Sequence, residues 1–242
     1  PLTVVLKQEV ERFKRLLKIL VESLQELDKA LRGLVSMSPM LEDVLSSLYI
    51  NHVPSAWSKY ESMKPLGSWF TELIKRIEFF NNWMRHGNPS SYWLSAFYFP
   101  QSFLTGILQR HSRIHGIPID NLSFELEILD EEPRNFPDIG VNIHGLFFDG
   151  AKWNPDKKCV DEQEPGQIYS EAPFMHLKPT NNNTQMNNNF YQCPVYITAQ
   201  REGVLSTTGT STNFVVSLPL PTKDHPNHWI QRGAAMLLGT PE

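Results

Sequence analysis

The sequence predicts an α+β chain, with a helical bundle over residues 1–120 followed by a small antiparallel β-barrel or sandwich over residues 121–242. Three observations carry this. Leu-rich helical periodicity fills the first part, and short runs of alternating apolar and polar residues, separated by Pro, Gly and Asn, fill the second. Between them lies Ser91 to Gly116, which sets Tyr92, Trp93, Leu94, Phe97, Tyr98, Phe99, Phe103 and Leu104 close together. At about 1.5–3 kcal/mol per large side chain buried, that density belongs in a core.

The first helix is expected over residues 5–35, where Leu6, Val10, Phe13, Leu17, Leu20, Leu24, Leu27, Leu31 and Leu34 recur at three- and four-residue steps. Glu11 with Arg15, Asp28 with Arg32, and Glu9 with Arg12 add pairs on the wet side, against the like-charge pairs Lys14/Lys18 and Glu22/Glu26. Leu16, Ile19 and Val21 lie off the seam and widen the apolar surface. A bundle helix packed on two neighbours fits this pattern, as does a dimerising coiled coil. Ser38-Pro39 supplies an N-cap and a first-turn Pro for a second helix reaching about Asn51. A third helix carries Trp69, Phe70, Leu73, Ile77, Phe80 and Met84 on one face and stops at Gly87. A fourth starts at Pro100 and stops at Gly116, with Arg110, His111, Arg113 and His115 gathered at its negative end. Trp57, Trp69, Trp83 and Trp93 fit a packed interior, or else an aromatic cage for a cation.

Beyond Gly116, residues 122–128 alternate strictly, with Glu125 and Glu127 on the wet face. Further strands are expected at 141–148, 174–177, 192–198, 214–218 and 229–237. Residues 180–189, TNNNTQMNNN, read as a polar loop.

Composition weighs against several functions. With Lys+Arg 22 against Asp+Glu 26 and a net charge of −4, the protein lacks the positive field that grips nucleic acid or an anionic membrane. No apolar run approaches the roughly 20 residues of a membrane span. Cys159 and Cys193 are expected to be thiols in a reducing compartment, the sequons at Asn121 and Asn182 to be incidental, and the start at Pro1 to mark a piece of something longer.

The usual catalytic signatures are missing. No G-x-x-x-x-G-K-[ST], G-x-G-x-x-G, H-E-x-x-H or G-x-S-x-G occurs. The hydroxyl-rich residues 205–213 read as hairpin turn chemistry or an anion-binding nest. His144, Cys159, His176 and Cys193 match no zinc-ligand spacing, and Asp130-Glu131-Glu132 and Asp161-Glu162 read as solvated loop charge.

Several motifs nonetheless occur together. They are Trp93-Leu94-Ser95, Phe99-Pro100-Gln101, Phe103-Leu104-Thr105-Gly106 and Pro118-Ile119-Asp120. His144-Gly145-Leu146, Cys193-Pro194-Val195-Tyr196, GVLSTTGTSTNF from Gly203 to Phe214, and His228-Trp229-Ile230 follow in the strand half. In this order they resemble the C-terminal region of dynein heavy chains, and the strand-half motifs are most similar to the axonemal ones. Ala96, where Gly is common, and Thr210, where His is common, depart from the pattern.

The resemblance implies a helical bundle followed by a small, incomplete antiparallel β-barrel lying across a ring of AAA+ modules of the same heavy chain. It implies a regulatory and structural part of a minus-end-directed, ATP-driven microtubule motor of cilia and flagella, with nucleotide sites upstream. No cofactor, metal, nucleic acid or membrane is implied, and microtubules and intermediate or light chains would be met only through the parent motor. Localisation would be cytoplasm and cytoskeleton, specifically the axoneme. Leu16, Ile19 and Val21 are then the expected ring contact, with Leu16→Asp plus Ile19→Asp expected to leave the fragment folded. A freestanding β-barrel module binding peptide or glycan is the alternative.

Overall fold

The computed structural model describes residues 2–60, 62–181, 189–201 and 212–240. The polar run 182–188 and most of the hydroxyl-rich run 205–213 lie outside these, and so do the readings that fall on them.

Helix α1 spans Leu2–Leu31 and ends where Gly33 turns left-handed, with Gly33 N–H donating to the Ala30 carbonyl and Leu34 N–H to that of Lys29. Its inward row is Leu2, Val5, Glu9, Phe13, Leu16, Leu20, Ser23 and Leu27. This row shares Phe13, Leu20 and Leu27 with the predicted seam but excludes Leu17, Leu24 and Leu31. The helix is thus rotated from the heptad reading, because α1 packs on several helices of its own chain rather than along one partner.

Helices α2 (Pro39–Tyr49), α3 (Leu66–His86) and α4 (Pro100–His115) all contact α1. Ser38 Oγ caps α2 by accepting from Leu41 N–H, and α4 ends at Gly116 in the left-handed region, as the local signals require. The aromatic stretch forms the centre of the core. Phe97 and Phe103 lie 4.4 Å apart between ring centroids, Tyr92 and Phe103 4.7 Å, and Trp83 and Tyr92 5.0 Å. Trp57, Trp69 and Trp83 are buried in the same mass, so they pack a core and form no open cage. Trp57 satisfies its indole N–H by donating to Ser23 Oγ at 2.9 Å.

The strand half comprises β2 (Ser123–Ile128), β3 (Val141–His144), β4 (Phe147–Asp149), β5 (Lys152–Asn154), β6 (Cys159–Asp161), β7 (Tyr169–Glu171), β8 (Met175–Thr180), β9 (Phe190–Tyr196), β10 (Phe214–Pro221) and β11 (Ala235–Leu237). Strand β1 (Tyr92–Trp93) comes from the helical half. The sheet orders are β1-β3-β8-β2, β10-β9-β11-β4-β7 and β5-β6. Among the described residues the sheets do not close into a barrel, and they are mixed: β1–β3 and β11–β9 are parallel where an all-antiparallel arrangement is expected. One apolar cluster runs from Leu2 to Leu238 through both halves.

Two strand expectations are corrected. The run 141–148 is not one strand, because Gly145 (φ +83°) breaks it and sends β3 and β4 into different sheets. A Cβ at Gly145 would lie 2.3 Å from Trp93 Cδ1, so only glycine fits against that indole. The run 229–237 is not a strand throughout: helix α5 (Pro226–Arg232) comes first, capped by the imidazole of His225 and stopped by left-handed Gly233. Trp229 is fully buried in α5 and donates its indole N–H to Thr222 Oγ1 at 2.7 Å.

The interaction that joins α1 to α4 is made by Glu9. Its carboxylate, although on the inward row, accepts the backbone N–H of Tyr98 at 2.5 Å and of Phe99 at 3.1 Å, and the Arg12 guanidinium at 3.0 Å. Tyr98 and Phe99 lie just before the first turn of α4, and a carboxylate from another helix supplies the acceptor for both of their backbone N–H groups. Burial pushes the Glu9 carboxyl up from its ordinary value, while the Tyr98 N–H, the Arg12 charge and the Phe99 N–H pull it back. The folded state therefore keeps this proton to higher pH than the unfolded state does. Its contribution to stability is greatest below the ordinary carboxylate value and declines as pH rises through the folded-state value.

Glu9→Gln keeps one acceptor and sets an amide N–H against a backbone N–H. We expect it to cost about 1–3 kcal/mol, read as a lower urea midpoint at unchanged slope. The decline of stability from the ordinary Glu value toward neutral pH should be shallower in this variant than in the parent protein.

Candidate docking face

Helix α1 has a second apolar row, which the rest of the described structure leaves uncovered. Leu17, Val21, Leu24 and Leu31 are 37%, 52%, 42% and 61% exposed, and their spacing places them on one side of the helix. The connection to α2 adds exposed Leu34 and Val35, α2 itself adds exposed Met40, Leu45 and Tyr49, and Ile50 just beyond it is exposed too. Isolated exposed apolar residues are ordinary, but an apolar stripe along one side of a helix is a candidate for contact with a partner.

Charge around the stripe is balanced. Arg15 pairs with Glu11 at 3.6 Å, Lys18 with Glu22 at 3.7 Å, Lys29 with Glu26 at 2.7 Å and Arg32 with Asp28 at 3.1 Å. Exposed pairs of this kind contribute about 0–1 kcal/mol each, so they act as a polar rim around an apolar centre.

The three residues expected to make the contact separate in the structure. Val21 lies on the open stripe, Ile19 is half-buried, and Leu16 is 1% exposed in the protein's own core. Leu16 is thus corrected from surface to core: it falls on the inward row with Phe13 and Leu20, where a carboxylate would be buried without a partner. Leu17 and Leu24, which the heptad reading placed inward, belong to the open stripe instead.

The other sequence candidates find structural partners. His144 Nδ1 is 2.8 Å from Ser91 Oγ, and His176 Nδ1 is 2.9 Å from Asn142 Oδ1. Burial lowers both histidines from their ordinary value, with Glu132 opposing the shift at His144 and Glu127 opposing it at His176. Cys159 and Cys193 are free and buried, and burial pushes the Cys193 thiol up. Among the described residues no three His, Cys, Asp or Glu side chains meet as a metal-binding group.

Asp130 pairs with Lys158, while Glu162 meets His228 at 2.8 Å and also pairs with Arg232. Hydrogen bonds from Lys157 and Asn154 hold the Asp161 carboxyl down at about 2. These carboxylates staple loops and strands. Half-buried Trp93 and His144 line a groove of about 740 Å³ between α3 and the sheets, with Lys64, Lys75, Phe147 and Glu171. Among the described residues no helix is long and apolar enough to cross a membrane.

The residue that sequence reading missed is Glu9, taken there for a surface partner of Arg12. Its place in the Val5, Phe13, Leu16, Leu20 row was the available signal.

With this geometry in place, comparison with known families is decisive. The family model that describes the C-terminal domain of the dynein heavy chain matches residues 1–238. The protein belongs to this family. It is 45% identical over 238 residues to dynein axonemal heavy chain 1 of Homo sapiens, a match covering 96% of this chain and 6% of that protein. Similarity to dynein axonemal heavy chain 6 of Homo sapiens is 42% over 261 residues, covering 98% and 6%, and to dynein axonemal heavy chain 3 of Mus musculus 44% over 237 residues, covering 96% and 6%. This dynein C-terminal domain thus spans about 6% of the length of the curated relatives it matches.

Leu16→Ala in this domain should lose about 2–5 kcal/mol in chemical denaturation, the cost of a core cavity. Val21→Asp plus Leu24→Asp, on the open stripe, should stay within about 0.5 kcal/mol per site of the parent protein in the same assay.

Proposed function

We propose that this dynein C-terminal domain is a non-catalytic brace within a heavy chain of the axonemal class, packed on the AAA+ ring of the same polypeptide and tuning its motor activity. The likeness to axonemal heavy chains supports the class, and the open stripe Leu17, Val21, Leu24 of α1 is the observation that carries the packing role. An apolar row about two helical turns long, left uncovered, is the surface a large partner would bury at roughly 25 cal/mol per Å².

In this reading the ATP-driven, minus-end-directed movement on microtubules belongs to other parts of the heavy chain, and nucleotide is bound upstream. The sequence agrees, since it contains no phosphate-binding loop signature. Intermediate and light chains, and the microtubule, are met through the parent motor, in the axoneme of cilia and flagella. A brace of this kind influences a motor only by differential binding: it must hold one ring conformation better than another. A difference of about 1.4 kcal/mol would shift that equilibrium tenfold.

The test is Val21→Asp plus Leu24→Asp in the complete heavy chain, with the isolated domain checked for unchanged stability. We expect a severalfold change in ATPase rate or microtubule gliding velocity. Unchanged motility would remove this face from the docking site.

A further inference from the structure

The last two turns of α4 carry a pair of imidazoles that neither the core nor the open stripe of α1 uses. His111 and His115 stand four residues apart and so share one face of the helix. Their ring centroids are 4.2 Å apart with the rings tilted by 39°. His111 is half-buried and His115 exposed. Both line a cavity of about 200 Å³, together with Arg110 and Asp138.

Two imidazoles at this spacing are the arrangement by which a single helix presents two nitrogens to a metal, as in helical H-x-x-x-H pairs. His115 is exposed, so a change of its χ1 and χ2 rotamer can swing its ring out of contact with His111 and set one nitrogen of each ring toward a common point. The helix end also favours a cation, because the final carbonyls of α4 point the negative end of the dipole at this turn. Asp138 adds to that preference, while the Arg110 and Arg113 charges oppose it.

Imidazole selects borderline ions of the zinc, nickel and copper group over the hard ions that prefer oxygen. We propose that His111 and His115 form a two-point site for a borderline divalent cation such as Zn²⁺, fastening the last turn of α4 where the helices give way to the strands. Because no third ligand of this kind joins them among the described residues, water or an outside donor completes the coordination. The site is of the open kind.

The probe is Zn²⁺ itself, titrated by calorimetry into the untagged 242-residue protein. One ion per molecule is expected, with melting raised at saturating Zn²⁺. His111→Ala and His115→Ala should each weaken binding by about tenfold or more, and each should abolish the melting shift, while His52→Ala should leave both intact. Circular dichroism checks that each variant keeps its helix content. Absence of saturable binding, or affinity retained in either of the two α4 variants, would overturn the proposal.

Discussion

A buried carboxylate holds the helical half together. Glu9 sits in the apolar row of α1, yet both of its oxygens accept hydrogen bonds from the backbone where α4 begins. Those N–H groups belong to Tyr98 and Phe99, just before the first turn of α4, and as buried backbone donors they need an acceptor. Only an acceptor brought from elsewhere can satisfy them, and an acceptor inside a core must itself be fully bonded. Arg12 completes the set: it bonds Glu9 while its guanidinium lies 5.3 Å from the centre of the Phe99 ring.

With α1 so fixed, its two apolar rows acquire different roles. Phe13 packs against Phe80 and Tyr98, at 5.4 Å and 5.7 Å between ring centroids, and Leu16 and Leu20 follow it inward. Leu17, Val21 and Leu24 are then left outside. The open stripe is therefore a consequence of how the core is filled. A helix this apolar cannot turn one row inward without presenting the other to whatever lies beyond.

The sequence revealed what depends on near neighbours along the backbone. The start of α2 at Ser38-Pro39 and the end of α4 at Gly116 are legible because caps and left-handed turns are local chemistry. Which leucines of α1 face inward was not legible, because rows at 13, 16, 20 and 27 and at 17, 24 and 31 are equally apolar, and packing against α2, α3 and α4 decides between them. Glu9 was misread for the same reason, since an acidic residue beside Arg12 looks like a surface pair until the backbone of residues 98 and 99 arrives beside it. Strands β5, β6 and β7 are three residues each, too short for alternation to show, and α5 was hidden because Trp229 and Ile230 also suit a strand. In the docking face, Val21 was visible as an off-seam apolar residue, whereas Leu17 and Leu24 were concealed inside an apparent heptad.

Strand β1 has a mechanical meaning. Tyr92 and Trp93 leave the helices to pair in parallel with Ile143 and His144, and Gln101 at the start of α4 donates to the Phe214 carbonyl of β10 at 2.9 Å. The helices and the sheets are thus laced to each other at more than one point, with shared apolar filling between them. Sliding one half against the other would therefore mean breaking the β1–β3 pairing, the Gln101 bond and the shared apolar contacts together, so the two halves part only at the combined cost of all three.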